Sequence, residues 1–320
     1  MWINLKRFFR TPSKIIVSRV VISTTDTTII VPVYNDPAGV ARTIDSLSQC
    51  QLNDQWALTV VDNGSTDETA ATIRCHTSGI NTACYISENE IQSSYAARNT
   101  GIRNTDADVI AFLDADMTVS DDYFDRALTH LHENDLDYLG CRVDLTVPDG
   151  ERTRTARYNA HTGFPVEQYL ARHRYAPTCA LFVRRAVFAD VGLFDPRLIS
   201  GGDMEFGNRV DAAGYDMGYC ADAVVHHPVR SSFRSLYGKN VRVGRGHCQL
   251  QRYYPDRYGE PPIPPRHEPL DTEPVDLPLD DRLAFGALST AMTAARASGY
   301  ARELASPSDT GADVDGPPSL

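Results

Sequence analysis

Val109-Ile110-Ala111-Phe112-Leu113-Asp114-Ala115-Asp116 is the stretch that decides the fold. Five mostly apolar residues form a predicted buried strand, and two carboxylates one residue apart follow at its end. Ionised carboxylates are too costly to leave in a core. They are expected to face a crevice at the strand's carboxyl end, where open α/β sheets bind ligands. Two hard oxygen ligands suit Mg²⁺ or Mn²⁺, and such an ion commonly accompanies a phosphate. The plain alternative is an Asp-rich turn capping the helix predicted to start near Ser120.

The flanks extend the pattern in both directions. Thr28 to Val33 reads as a first strand ending in Pro32-Val33-Tyr34-Asn35-Asp36. A helix follows from Ala38 to Cys50, with Val40, Ile44 and Leu47 at i, i+4 and i+7. Trp56 to Val61 is a second strand, ending in Asp62-Asn63-Gly64-Ser65-Thr66-Asp67, and a helix starts near Asp67. Cys84 to Ser87 is a third strand, and Ser93 to Asn104 is helical. Strand and helix thus alternate up to Val109, the signature of a parallel sheet with crossover helices. Ligand-ready polar residues follow the first, second and fourth strands. Beyond the two aspartates, Asp121 to Glu133 reads as a helix, and Tyr138 to Thr146 and Cys179 to Val183 as strands of a mixed second half. Glu151 to Arg174 reads as a mobile loop or helix over the site.

Composition sets bounds. The 320 residues suffice for one large α/β domain with appendages, and 42% hydrophobic content is ample for a core. Forty-two acids against 31 bases give a net charge of −11, which argues against a general nucleic-acid partner. Three of the bases are lysine (Lys6, Lys14 and Lys239), and this low lysine with an acid excess hints at a halophilic or high-GC source. Seven scattered cysteines without a CxxC pair read as reduced thiols of a cytoplasmic protein.

Two competing motif readings are weak. A haloacid-dehalogenase phosphatase also uses Asp-x-Asp, but needs a downstream lysine followed by an acidic pair. Lys239 is the sole lysine after Asp116. A dinucleotide-binding dehydrogenase needs a Gly-rich turn after the first strand, and Val33 to Gly39 holds one glycine. Five motifs in order instead resemble the family 2 glycosyltransferases. They are Ile30-Val31-Pro32-Val33-Tyr34-Asn35, Val60 to Asp67, Ala96-Ala97-Arg98-Asn99-Thr100-Gly101-Ile102, Phe112 to Asp116, and Gly201-Gly202-Asp203-Met204-Glu205-Phe206-Gly207 with Arg209. Together they span about Thr27 to Gly246.

The resemblance implies a GT-A fold: an open, mostly parallel sheet with helices on both faces and a mixed second half. It implies an inverting, metal-dependent transfer of sugar from a nucleotide-sugar donor. A UDP-sugar is favoured, with GDP- or dTDP-sugars as alternatives, and Mn²⁺ or Mg²⁺ as cofactor. Pro32, Tyr34 and Asn35 would cradle the nucleoside. Asp62 would accept from the base ring N–H or else make an Asx-turn. Arg98 and Asn99 would reach the ribose or diphosphate. Asp114 would contact ribose or metal, and Asp116 would hold the metal. Asp203 aligns with the general base, and Glu205 with a second acid that orients the acceptor. Many relatives carry Glu-Asp where this chain has Gly202-Asp203, so the division of labour between Asp203 and Glu205 stays open. His227, before Pro228, matches a metal ligand better than His226. Arg242, Arg245 and His247 fall in a basic segment that either closes over the diphosphate as a flexible lid, with Arg245 on the nucleotide, or is a solvated charge run. A non-catalytic nucleotide-sugar-binding protein on the same fold is the rival class.

The expected division is a basic amphipathic leader over 1–26, a transferase domain over 27–250, and a Pro-rich linker, short helix and disordered tail over 251–320. Within the domain, 27–118 is the nucleotide half and 119–250 the acceptor half. No segment of the sequence is apolar enough to span a bilayer. The leader, with Trp2, Phe8 and Phe9, and a small-residue helix at Leu283 to Ala295 could touch a membrane surface. The family suggests a lipid-linked or saccharide acceptor at the cytoplasmic face.

Overall fold

In the computed structural model, which describes residues 26–50, 56–147, 150, 152–264, 277–307 and 316–320, strand and helix alternate as the periodicity predicts. The first half runs β1 (Thr27–Val33), α1 (Pro37–Gln49), β2 (Trp56–Asp62), α2 (Thr69–Thr77), β3 (Ala83–Ser87), α3 (Ser94–Arg103) and β4 (Val109–Phe112). The second half runs β5 (Thr118–Val119), α4 (Tyr123–Glu133), β6 (Tyr138–Thr146), α5 (Arg154–Thr162), α6 (Val166–His173), β7 (Leu181–Arg184) and α7 (Arg185–Val191). It continues with α8 (Gly202–Ala212), β8 (Met217–Pro228), α9 (Phe233–Tyr253), α10 (Pro255–Tyr258) and α11 (Leu279–Ala305).

The eight strands form one sheet in the order β3-β2-β1-β4-β7-β6-β8-β5. β1 pairs in parallel with both β2 and β4, and β2 with β3. Antiparallel β7 joins the parallel β6–β8 pair to β4. The chain's direction of travel across the sheet therefore reverses between β1 and β4, the switch point outside which α/β sheets bind ligands. The β1–β4 register ends at Ile30↔Phe112. Pro32, which has no N–H to give, lies just past that point. A proline is tolerated in this central strand because the ladder on that side has already opened.

Local chemistry sets the helices against this opening. Asp36 caps α1 by accepting from the Gly39 N–H at 2.8 Å, and Pro37 starts the helix. Val40, Ile44 and Leu47 bury one stripe of α1 against the sheet. Ser93 caps α3 by accepting from the Tyr95 N–H. Gly101 lets α3 lie close on β1, since a Cβ there would come within 2.6 Å of the Ile30 side chain. In the second half, Phe188, Phe194 and Phe206 stack with centroids 4.6–6.0 Å apart, fixing α7 and α8.

Several expected elements change on folding. Of the two readings of the stretch up to Arg174, helix and not mobile loop is what forms, as α5 and α6. The basic segment around Arg242 to His247 is not a flexible lid but the middle of α9, a 21-residue helix. The short helix foreseen at Leu283 to Ala295 is the 27-residue α11, which buries Phe285, Met292, Ala295, Gly299 and Tyr300. It crosses α9 at two glycines, where a Cβ on Gly244 would strike the Arg296 carbonyl and one on Gly299 the Val241 carbonyl. Of the tail foreseen as disordered, Gly316 to Leu320 return to the domain, and the Leu193 N–H donates to the Pro318 carbonyl at 2.8 Å. The leader up to residue 25 and most of the Pro-rich segment lie outside the described residues.

Candidate active site

The crevice is built from strand ends. Asn35, in a left-handed conformation at φ 49°, ties the β1 and β2 ends together. Its N–H donates to Ser65 Oγ at 2.9 Å, and its side-chain oxygen accepts from the Thr66 N–H at 2.8 Å. Asp62 is buried, accepting from the Ser65 N–H at 2.9 Å and from the Tyr85 hydroxyl at 3.2 Å. The Asx-type turn is therefore real, and the carboxylate still has lone pairs for a further donor. Beside these ends lies a cleft of about 410 Å³, lined by Pro32, Tyr34, Asn63, Gln92, Leu198 and Arg242 among others. Tyr34 is 49% exposed at its mouth, an open aromatic face for a base.

Asp114 and Asp116 leave β4 into the same crevice. Arg98 reaches up from α3 and donates to Asp114 at 2.6 Å. Its guanidinium is buried, and its Nε–H has no partner among the described residues. Asp116 is followed by β5, whose antiparallel register with β8 sets Thr118 opposite His226. That pairing brings Asp116 beside His227. Burial pushes the Asp116 carboxyl above the usual carboxylate range, His227 opposes the shift, and Asp114 and Asp36 add to it. The His227 Nδ1 lies 2.7 Å from the Pro228 carbonyl. A carbonyl can only accept, so Nδ1 is the donor there and Nε2 is the ring nitrogen available to a metal.

These donors fit a divalent cation with open positions. Asp116 offers a carboxylate that accepts no hydrogen bond among the described residues, and His227 offers Nε2, its Nδ1 being taken by the Pro228 carbonyl. Among the described residues no three or more His, Cys, Asp or Glu side chains close a full ligand set. A partial set suits Mg²⁺ or Mn²⁺, which are commonly held by one or two protein ligands plus substrate phosphates.

Across the crevice, α8 begins at Gly201, in the left-handed region at φ 85°. The Gly202 N–H donates to the Tyr95 hydroxyl at 2.9 Å, and a Cβ on Gly202 would lie 2.6 Å from that ring. The Tyr95 ring thus occupies the space a larger residue at 202 would need, which accounts for the missing Glu. Asp203 follows. It forms no ion pair among the described residues, and its carboxylate accepts from the Met204 N–H at 3.0 Å. Burial raises its carboxyl above the usual range, while the Met204 N–H and Arg98 pull it back.

Three sequence-based assignments are corrected. Glu205 is fully buried and held bidentately by Arg209 at 2.7 and 2.9 Å. Arg209 also donates to the Val191 and Leu193 carbonyls, so Glu205 anchors α8 to that turn and is not presented to an acceptor. Asn99 spends both ends of its amide on the Phe194 backbone, donating at 2.8 Å and accepting at 3.0 Å, and does not reach a ribose. Arg245 turns to buried Glu303 of α11 at 3.0 Å, so it serves the α9–α11 contact, and Arg242 faces the cleft instead. Tyr95, Asp36, Arg230 and Lys239 were not assigned to the site from the sequence. Tyr95 stands just before the Ala96-to-Ile102 motif, a position that could have flagged it.

Residues 28–191 match the model of glycosyl transferase family 2. The chain belongs to this family and is a glycosyltransferase. It is 34% identical over 223 residues to the glycosyltransferase AglE of Haloferax volcanii, covering 69% of this chain and 73% of that protein. It is 26% identical over 233 residues to the O-antigen chain rhamnosyltransferase RfbN of Salmonella typhimurium, covering 69% and 72%. The solved mannosyltransferase PcManGT from Pyrobaculum calidifontis, in complex with GDP-Man and Mn²⁺, superposes with a TM-score of 0.59 at 19% identity. That match covers 90% of this chain and 78% of the other, and the likeness is one of GT-A fold. The family match overturns the haloacid-dehalogenase alternative.

Proposed function

We propose that this glycosyltransferase is metal-dependent and inverting, and moves a sugar from a nucleotide-sugar to an acceptor hydroxyl. The products we infer are glycolipids, lipid-linked oligosaccharides or surface polysaccharides. The observation that carries the reading is the placement of Asp203, without an ion pair among the described residues, across the crevice from Asp114 and Asp116. Asp203 takes the acceptor proton as the acceptor oxygen bonds to the anomeric carbon. The bond from that carbon to the diphosphate breaks, and its electron pair leaves with the nucleoside diphosphate. A carboxyl raised toward neutrality is a stronger base than an ordinary aspartate once ionised. Asp116 and His227 would hold Mn²⁺ or Mg²⁺, which stabilises charge on the departing diphosphate. Arg98 fixes Asp114 for the ribose or the metal. Pro32, Tyr34 and Asp62 receive the nucleoside, with a UDP-sugar preferred to GDP- or dTDP-sugars.

The test is transfer or slow hydrolysis of UDP-, GDP- and dTDP-sugars with Mn²⁺ and with EDTA, the product anomer being read by proton NMR. Metal-dependent turnover with inverted anomeric configuration supports the proposal. Retained configuration, or nucleotide-sugar binding with no turnover on any acceptor, contradicts it. For the acceptor we favour a lipid-linked or saccharide molecule met at the cytoplasmic face of a membrane. Among the described residues no helix is long and apolar enough to cross one. Leu279 and Leu283 stand 71% and 68% exposed at the start of α11, which favours peripheral contact. Flotation of the full chain with anionic liposomes at low salt checks this, and a protein that stays with the soluble fraction excludes it.

A further inference from the structure

Helix α9 carries cations of two kinds. Those toward α11 are matched by acid: Arg245 and Arg252 both pair with buried Glu303, at 3.0 and 3.3 Å. Those toward the crevice form no ion pair among the described residues. Lys239 makes no hydrogen bond or ion pair among the described residues, and its ammonium sits 4.9 Å from the centroid of the Phe164 ring. Arg242, one turn on, lines the nucleoside cleft and likewise has no partner among the described residues. Arg230, just before α9, donates from its guanidinium to Ser235 Oγ at 3.0 Å, and its field partners are Asp116 and Asp114 together with Arg242.

We propose that Arg230, Lys239 and Arg242 form a cationic clamp for the donor's diphosphate, acting on the leaving group separately from the metal at Asp116 and His227. The inference rests on the glycosyltransferase reading of the site and adds residues to it. Its support is placement. Arg242 stands at the cleft with Pro32 and Tyr34, Arg230 faces the two aspartates, and Lys239 neighbours both arginines. A diphosphate linking a base in that cleft to a sugar at the aspartates has to run along this line. The groups facing Lys239 also call for an anion. Arg230, Arg242 and Arg296 repel it, and the neighbouring Cys179 thiol, kept protonated by burial, brings no charge to offset them. Burial leads these effects and lowers the ammonium to about 8. The three gathered cations repel one another, offset on the Arg230 side alone by Asp114 and Asp116, and a bound diphosphate relieves the repulsion that is left. The clamp is a set of charge-assisted donors, the strongest class of hydrogen bond available to a phosphate.

The proposal makes binding measurable without metal or sugar. The probe is inorganic pyrophosphate, titrated calorimetrically into the full chain in EDTA. Lys239→Met is expected to weaken pyrophosphate at least ~10-fold, the scale of a lost charged hydrogen bond, while Lys239→Arg stays within ~3-fold. Near pH 8 the wild-type binding heat should change with the buffer's ionisation enthalpy, because Lys239 takes up a proton as the anion arrives. Pyrophosphate's own protons contribute to that dependence in every variant, and Lys239→Arg should remove the part that Lys239 adds, a result a merely structural lysine would not give. Arg242→Ala, at an exposed position, should lose affinity too and covers the case in which Lys239→Met fails to fold. UDP should compete with pyrophosphate for one site. Equal metal-free affinity in wild type, Lys239→Met and Arg242→Ala overturns the clamp, and so does simultaneous binding of UDP and pyrophosphate. Loss of pyrophosphate in these variants, with no sugar transfer by the wild type, would uphold the clamp and remove the transferase reading alone.

Discussion

Two acidic pairs share one spacing and meet opposite fates. Asp114 and Asp116 leave a strand end, and both reach the crevice. Asp203 and Glu205 have the same i, i+2 spacing but lie in the first turn of α8. On a helix, residues two apart are roughly 200° apart around the axis and cannot share a face. Asp203 consequently faces Arg98 and Tyr95, while Glu205 points into the core and meets Arg209. Like residue chemistry thus leaves both carboxylates at the crevice in one setting and turns one of them into a structural anchor in the other. The backbone period makes the difference.

The largest expected effect breaks the anchor. Glu205→Gln leaves the Arg209 guanidinium without its carboxylate in a buried setting, and should cost about 3–5 kcal/mol of stability. Urea unfolding measures it, and a change below 1 kcal/mol would mean that Glu205 is not the tie between α8 and the 191–193 turn. Next comes the strand-end pair. Asp116→Ala should lower Mn²⁺-dependent affinity for UDP or GDP on the order of 100-fold while leaving the melting temperature close to wild type, since a crevice carboxylate does little for packing. Calorimetry with and without Mn²⁺ reads this, and unchanged metal-dependent affinity would take Asp116 out of the site. The smallest effect concerns Asn99. Asn99→Ala strands the Phe194 N–H and carbonyl in the core and should cost about 1–3 kcal/mol of stability. A folded, stable variant with weakened nucleotide binding would instead restore the ribose role.

The same comparison explains what could be read from sequence. β1, β2, β4 and their helices were legible because buried parallel strands are continuous apolar runs, and α1 shows its stripe at Val40, Ile44 and Leu47. β6 was placed at its observed ends, Tyr138 and Thr146. Asp114, Asp116, Asp203, Tyr34 and His227 were legible as members of motifs, and the structure brings them to one crevice or its rim. What failed was whatever depended on which partner a side chain takes in the fold, one turn away for Glu205 and far along the chain for Asn99 and Arg245. Glu205 looks catalytic until Arg209 turns back onto it, and Asn99 looks ligand-ready until Phe194 takes both ends of its amide. Arg245 looks like a lid residue until Glu303, 58 positions later, claims it. The α9–α11 crossing rests on Gly244 and Gly299, two small residues with no periodic signal of their own.

The most direct test sets Asp203→Asn beside Glu205→Gln in kcat/KM with the preferred nucleotide-sugar and Mn²⁺, below the melting temperature of the weaker variant. Asp203→Asn should lose at least ~100-fold, the scale of a missing general base, yet melt no lower than wild type. A carboxyl whose folded pKa is raised stabilises the protein only in its protonated form, so its charge at neutral pH opposes folding, and Asn removes that charge. The wild-type rate should fall on the acid side at a pH above the ordinary carboxylate range, as Asp203 takes up a proton. Folded Glu205→Gln should turn over within ~3-fold of wild type. Near-normal turnover in Asp203→Asn, with loss of chemistry in folded Glu205→Gln, would contradict the account.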